Sequence, residues 1–143
     1  MSGNQATNDG PTDPLSAPSG AQNVLLWAVQ IPLAAYFVYS AMAILTSQPG
    51  MVGLFATFGL GQWFQYLVGA FELAGAVGLL IPRLCGLAAL GLASIMVGVV
   101  IAHLTVLPPA TQALFPAALG LLFVLISSAR WSQTTTLLAM LRR

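Results

Sequence analysis

The chain has 143 residues, of which 58% are hydrophobic and only 5% charged, with a net charge of +1 and no lysine. A soluble domain carries roughly 25% charged residues, so this chain has no polar shell for a water-facing surface, and a soluble helical bundle, whose helices need polar outer faces, fits poorly. No basic patch is available for phosphate contacts, which excludes nucleic acid as a partner, and the length suits one compact domain whose natural solvent is lipid.

Residues 1–22 are rich in Ser, Gly, Pro, Asn and Asp and lack aromatic and β-branched apolar residues, so they are expected to form a disordered N-terminal tail. They have no positive region ahead of a short apolar stretch and do not read as a cleaved signal peptide. Four apolar stretches follow, from about Val24 to Leu45, Gln62 to Ile81, Leu84 to Leu107 and Thr111 to Ser128. Each is close to the roughly 20 residues that carry a helix across a bilayer. Gln48-Pro49-Gly50, Pro82-Arg83 and Pro108-Pro109 punctuate them, while Pro32 and Pro116 fall within spans and are expected to kink them. Between the first two spans, Thr46 to Gly61 contains Met51, Phe55, Phe58 and several glycines. It is too apolar for a solvated loop and too broken for a span, so it reads as an interfacial or re-entrant segment on the outer face. The tail from Trp131 to Arg143 alternates polar and apolar residues and is expected to be a short surface helix with Trp131 at headgroup level. The expected organisation is a tail over 1–22, a four-helix transmembrane domain over 23–130 and a C-terminal tail over 131–143.

With four spans, both termini and the middle loop share one side. Arg83 lies in that loop, and Arg130, Arg142 and Arg143 follow the last span, so every positive charge is on that side. The positive-inside rule makes it cytoplasmic. The expected fold is therefore an all-α membrane protein, a four-transmembrane-helix bundle of the cell (inner) membrane with N-in/C-in topology.

Lipid gives no hydrophobic drive for helix association, so small residues that allow close approach carry weight. Ala70, Ala74 and Gly78 recur every fourth residue on the second span, and Ser94, Gly98 and Ala102 on the third. A very short turn makes these spans antiparallel neighbours, and a tight hairpin along the two stripes is expected; the alternative is that small residues are simply common in membrane helices.

Few residues could carry chemistry. Glu72 lies about ten positions from the Pro82-Arg83 turn, near mid-membrane. A carboxylate there costs several kcal/mol or more, so it must face protein and find a partner or stay protonated. It shares a helical face with Gln62, Gln65, Gly69 and Ala76, a polar stripe in an apolar helix. Reflected through the turn, it lies level with Ser94, with no positive residue at that depth, and is expected to be protonated. Such a residue serves either as a proton-accepting or ligand-binding group or as a neutral hydrogen-bonding link between helices. His103 is the only histidine and lies near the outer end of the third span, about 15 Å further along the axis than Glu72. A direct pair is not expected in a straight hairpin, and His103 reads as facing a different crevice or the outer interface, either as a proton relay or quinone contact or as an ordinary interfacial histidine. Gln62, Trp63, Gln65 and Tyr66 collect at the outer end of the second span. They suit a membrane belt, the preferred reading for Trp63, or the mouth of a pocket for a quinone headgroup. Cys85 is the only cysteine, which excludes an internal disulfide and thiol relay chemistry within one chain. One histidine and one cysteine give no bis-histidine haem and no zinc or iron–sulfur ligand set, so no metal is expected.

The stretch from Leu67 to His103 carries a Gly-x-x-Glu-x-x-Gly pattern at Gly69, Glu72 and Gly75, a Leu-Leu-x-Pro-Arg turn ending at Arg83, and Met96 followed by His103. In these features it resembles the DoxX-like family of small four-helix membrane proteins. The first and last spans match only as hydrophobic segments of suitable order and length, and the basic residue usual near the outer end of the family's first span is missing from Tyr39 to Ser47. The resemblance implies a membrane anchor or quinone-facing subunit for a redox partner, with Glu72 and His103 as the residues carried over. It leaves open whether the chain is an enzyme. The expected role is thus a membrane subunit of a quinone-linked redox complex, partnered by lipid and by a soluble or membrane redox protein or further copies of itself. The rivals are a non-catalytic scaffold or assembly factor and, more remotely, a small transporter.

Overall fold

The computed structural model describes residues 19–142. Among these there are no strands; the elements are helices α1 (Gly20–Leu45), α2 (Pro49–Ala56), α3 (Gln62–Leu79), α4 (Cys85–Thr105), a single 3-10 turn (Ala110–Ala113) and α5 (Leu114–Leu141). Local chemistry explains most boundaries. Ser19 and Gln22 form a capping box, the Ser19 hydroxyl accepting from the Gln22 N–H at 3.4 Å and the Gln22 side chain accepting from the Ser19 N–H at 3.1 Å. This starts α1 four residues before the expected Val24, so Ser19 caps the helix and residues 20–22 belong to it; the rest of the expected N-terminal tail lies outside the described residues. After α1 the chain turns at Ser47, whose φ of +54° is rare for a residue with a side chain. Pro49 then opens α2, where a missing N–H is harmless. Pro116 is the third residue of α5, so it too removes only an N–H without an intrahelical acceptor.

The C-terminal reading is corrected. Trp131 to Leu141 is no separate surface helix but the continuation of α5, which runs unbroken for 28 residues. No Gly or Pro lies between Ser128 and Leu141, and the change from apolar to polar side chains does not interrupt backbone hydrogen bonding.

Helix α1 packs chiefly on α3, and α4 chiefly on α5, with a less extensive contact between α3 and α4. A core of Phe37, Leu79, Leu92, Met96, Phe123 and Ile126 joins the two pairs. Phe37 and Phe123 meet edge to face with centroids 5.2 Å apart, a favoured aromatic geometry. The close approaches on α3 come at Gly69 against Ile44 and Leu45, Gly75 against Leu92 and Gly78 against Ala88. The two stripes of small residues do not run face to face. Ala70, Ala74, Ser94 and Gly98 are exposed, while Gly78 and Ala102 are buried. A four-residue repeat precesses around a 3.6-residue helix, so its members drift off the shared seam.

Three units, α1, α4 and the 3-10 turn with α5, are long and apolar enough to cross a membrane. Their outward side chains include Leu87, Val97, Ile101, Leu121 and Leu125, all at least half exposed, an apolar exterior that only lipid can solvate. Helix α3 is shorter, at 18 residues, and carries Gln62, Gln65 and Glu72. Gln65 and Glu72 point inward, at 1% and 5% exposed, while Leu67, Phe71 and Val77 face out and Gln62 is exposed at the helix start.

Candidate functional site

Glu72 is presented by α3 on the face it shares with Gln65, Gly69 and Ala76, all buried. Its partner is on α1: the Ser40 hydroxyl lies 3.2 Å from one carboxyl oxygen and 3.3 Å from the other. The depth-matched Ser94 is not near this role; it faces outward and its hydroxyl donates to the Leu90 carbonyl one turn back, at 3.0 Å. Glu72 has no basic neighbour among the described hydrogen bonds, so its environment is one hydroxyl in an apolar setting.

Glu72 opens into a cavity of about 480 Å³ whose wall also includes Tyr36, Ser40, Val99, His103 and Phe115. Every helix contributes, α2 through Met51, Leu54 and Phe55. The expectation that His103 faces a different crevice is therefore corrected: it lines the same cavity as Glu72. The two do not hydrogen-bond to each other: Glu72 is engaged by Ser40 and His103 by the Val99 carbonyl. The His103 Nδ1 lies 2.9 Å from the Val99 carbonyl. A carbonyl can only accept, so Nδ1 carries the proton and Nε2 is the nitrogen left for another partner. The cavity thus presents a carboxyl, a hydroxyl and an imidazole nitrogen among apolar and aromatic walls, with Tyr36 and Gln112 adding further polar groups to the lining.

Gln62, Gln65 and Tyr66 form a separate group around the strained turn residue Ser47. The Ser47 and Tyr66 hydroxyls are 3.1 Å apart, and the Gln62 amide donates to Tyr66 at 3.1 Å and to Ser47 at 3.4 Å. The Gln65 amide donates to the Ile44 carbonyl at 2.6 Å and to Ser47 at 3.4 Å. Their polar atoms are engaged in closing the end of α1, and none of the three lines the Glu72 cavity. Gln62 and Gln65 instead border a smaller hollow of about 240 Å³. Trp63 is 62% exposed on the outer surface, the position of a membrane-belt side chain.

Sequence reasoning missed a second polar cluster. Arg130, expected to follow the last span on the cytoplasmic side, is 1% exposed. Its guanidinium donates to Gln30 and to Gln133, each at 3.4 Å, and lies 5.7 Å from the centre of the Trp27 ring. Gln30 in turn donates to the Cys85 sulfur at 3.0 Å. The Nε of Arg130 and the Thr134 hydroxyl are buried without a partner among the described residues. One signal was available: Gln30 is a lone amide in an otherwise apolar stretch of α1. The cluster ties α1, α4 and α5 together at the end of the bundle opposite the cavity.

No curated protein and no solved structure matches the chain. The sequence profile of the DoxX-like family matches residues 28–126, from within α1 to within α5, and includes Glu72, Ser40 and His103. Matching well over half the sequence, and with apolar helices suited to lipid, this membrane protein belongs to the DoxX-like family.

Proposed function

We propose that the chain is a membrane subunit of a quinone-linked redox complex, with the cavity of Glu72, Ser40 and His103 receiving the quinone headgroup. The observation that carries this reading is one cavity, about 480 Å³ in volume, in which Ser40, Glu72 and His103 are spaced among largely apolar walls that also carry Tyr36 and Gln112. Ligand sites are usually apolar clefts of about 300–1,000 Å³ with a few placed polar groups. A bound quinone would supply the electron-accepting chemistry, its electrons coming from a redox partner protein. The chain's own residues bind and orient it. Ser40 and Glu72 hydrogen-bond one side of the headgroup, His103 offers Nε2 to the other, and the carboxyl and imidazole hold the protons the chemistry consumes or releases. The surrounding helices exclude water.

The reading includes four spans in the cell membrane. Helix α3 covers about 27 Å, close to the hydrocarbon thickness of about 30 Å. Its inward polar and outward apolar faces suit a span packed on one side and lipid-solvated on the other. Both termini then share a side with the Arg83 turn, and the positive-inside rule makes it cytoplasmic.

The test is quinone binding by the reconstituted chain. Glu72→Gln and His103→Ala should each weaken binding at least tenfold, and unchanged binding in both would overturn the assignment. A second reading, a non-catalytic scaffold, is favoured by an open apolar groove of about 410 Å³ between α3 and α4, lined by Ala74, Gly75, Gly78, Ala88 and Gly91. Small residues of this kind accept a partner helix. Recovery of a stable partner whose binding is lost in Gly91→Leu but unaffected by Glu72→Gln would support it.

A further inference from the structure

A second cavity, of about 260 Å³, adjoins the first, and the two share Leu54, Phe55, Val68, Ile95, Val99 and His103 in their walls. Six shared wall residues place the two hollows side by side, as neighbouring branches that both border His103. The branches differ in chemistry. The first holds Glu72 and Ser40; the second adds Phe58, Phe64, Gly98, Ala102 and Leu107, so that His103 is its one titratable side chain. On α4, Ile95, Gly98, Val99, Ala102 and His103 follow the spacing of a single helical face, and this face forms one wall of the apolar branch. Gly98 on that wall and Leu54 of α2 are also exposed at the protein surface, so the branch reaches the lipid-facing side.

We propose that the second branch holds the apolar tail of a membrane quinone whose headgroup lies at Glu72, Ser40 and His103, and that the tail leaves toward lipid past Gly98 and Leu54. This rests on the headgroup reading given above. It adds that the site selects amphiphiles, a hydrogen-bonding ring joined to an extended hydrocarbon, over small polar quinones. The tail turns at His103, whose ring stands where the branches meet and is held by the Val99 carbonyl at 2.9 Å. The absence of a side chain at Gly98 keeps the passage open: a Cβ placed there would meet nothing within 4 Å. That open space also makes Gly98→Leu a substitution the fold accommodates, with the added side chain occupying the route proposed for the tail.

The test uses the full chain in lipid nanodiscs and two probes, a benzoquinone carrying a decyl chain and the same ring carrying only a methyl group, with retention corrected for empty nanodiscs. The unmodified chain should bind the decyl probe at least tenfold more tightly. Gly98→Leu should abolish that preference while changing methyl-probe affinity by less than twofold. Gly91→Leu, on the same helix and also in open space but outside both branches, should leave both affinities unchanged. A decyl probe with a photoreactive tip should label Phe58, Phe64 or Leu107. A preserved decyl preference in Gly98→Leu, or labelling at Tyr36 and Phe115 instead, overturns the tail route while leaving the headgroup site standing. Failure of the unmodified chain to bind either probe overturns the headgroup reading, and the tail route with it.

Discussion

A Cβ added at Gly78 would lie 2.7 Å from the Cβ of Ala88, with the next neighbour, the Ala88 Cα, at 3.9 Å. Neither atom can rotate away, since an alanine has no side-chain torsion that moves its Cβ, so Gly78→Ala must push the backbones of α3 and α4 apart. Overpacking of this kind costs about 1–3 kcal/mol. The gain in helix propensity, at most about 1 kcal/mol in a helix interior, is smaller here because Gly78 lies in the last turn of α3. The expected net loss is about 1–2 kcal/mol. Gly91→Ala, where nothing lies within 4 Å, should instead gain up to about 1 kcal/mol. Stability would be measured by unfolding in mixed micelles with helicity as the readout. Ala88→Gly removes the single atom responsible for the clash, so a cycle combining it with Gly78→Ala should show a favourable coupling of about 1–3 kcal/mol. Gly78→Ala as stabilising as Gly91→Ala, or a purely additive cycle, would refute the α3–α4 packing.

Gln65→Leu, which deletes the 2.6 Å bond to the Ile44 carbonyl from a side chain 1% exposed, should cost about 1–3 kcal/mol in the same assay. Arg130→Met should be near neutral, within about 1 kcal/mol, because a buried charge with only long hydrogen bonds gives little back for its desolvation, whereas Arg130→Ala also opens a void and should cost about 2–5 kcal/mol. With Cys85 replaced by Ala, a membrane-impermeant thiol reagent should reach Arg83→Cys and Arg142→Cys from one side only, and Gln48→Cys and Gln112→Cys from the other; labelling of all four from one side would contradict four spans.

Much of the fold is legible in the sequence because lipid imposes simple rules. Apolar runs of span length and the breakers Pro82 and Pro108 locate α3 and α4 to within about two residues. The exceptions have local causes. The Ser19–Gln22 box lies inside a stretch whose composition suggests a tail, and a change of polarity after Ser128 looks like a helix end although the backbone has no reason to stop. The site was half visible. A carboxyl at mid-span and a lone histidine stand out in a nearly charge-free chain, but periodicity describes one helix at a time. That Ser40 rather than Ser94 meets Glu72 depends on α3 packing chiefly against α1, and that Glu72 and His103 share a cavity depends on all the helices. Arg130 was hidden for the same reason: its neighbours Gln30 and Trp27 lie a hundred residues away in sequence.

The most direct test of the central claim is native mass spectrometry of the complex released gently from its own membrane. The account predicts a quinone retained at one per chain alongside a redox partner, and loss of that quinone in Glu72→Gln. A chain that carries no quinone, or one whose quinone survives both Glu72→Gln and His103→Ala, would contradict it.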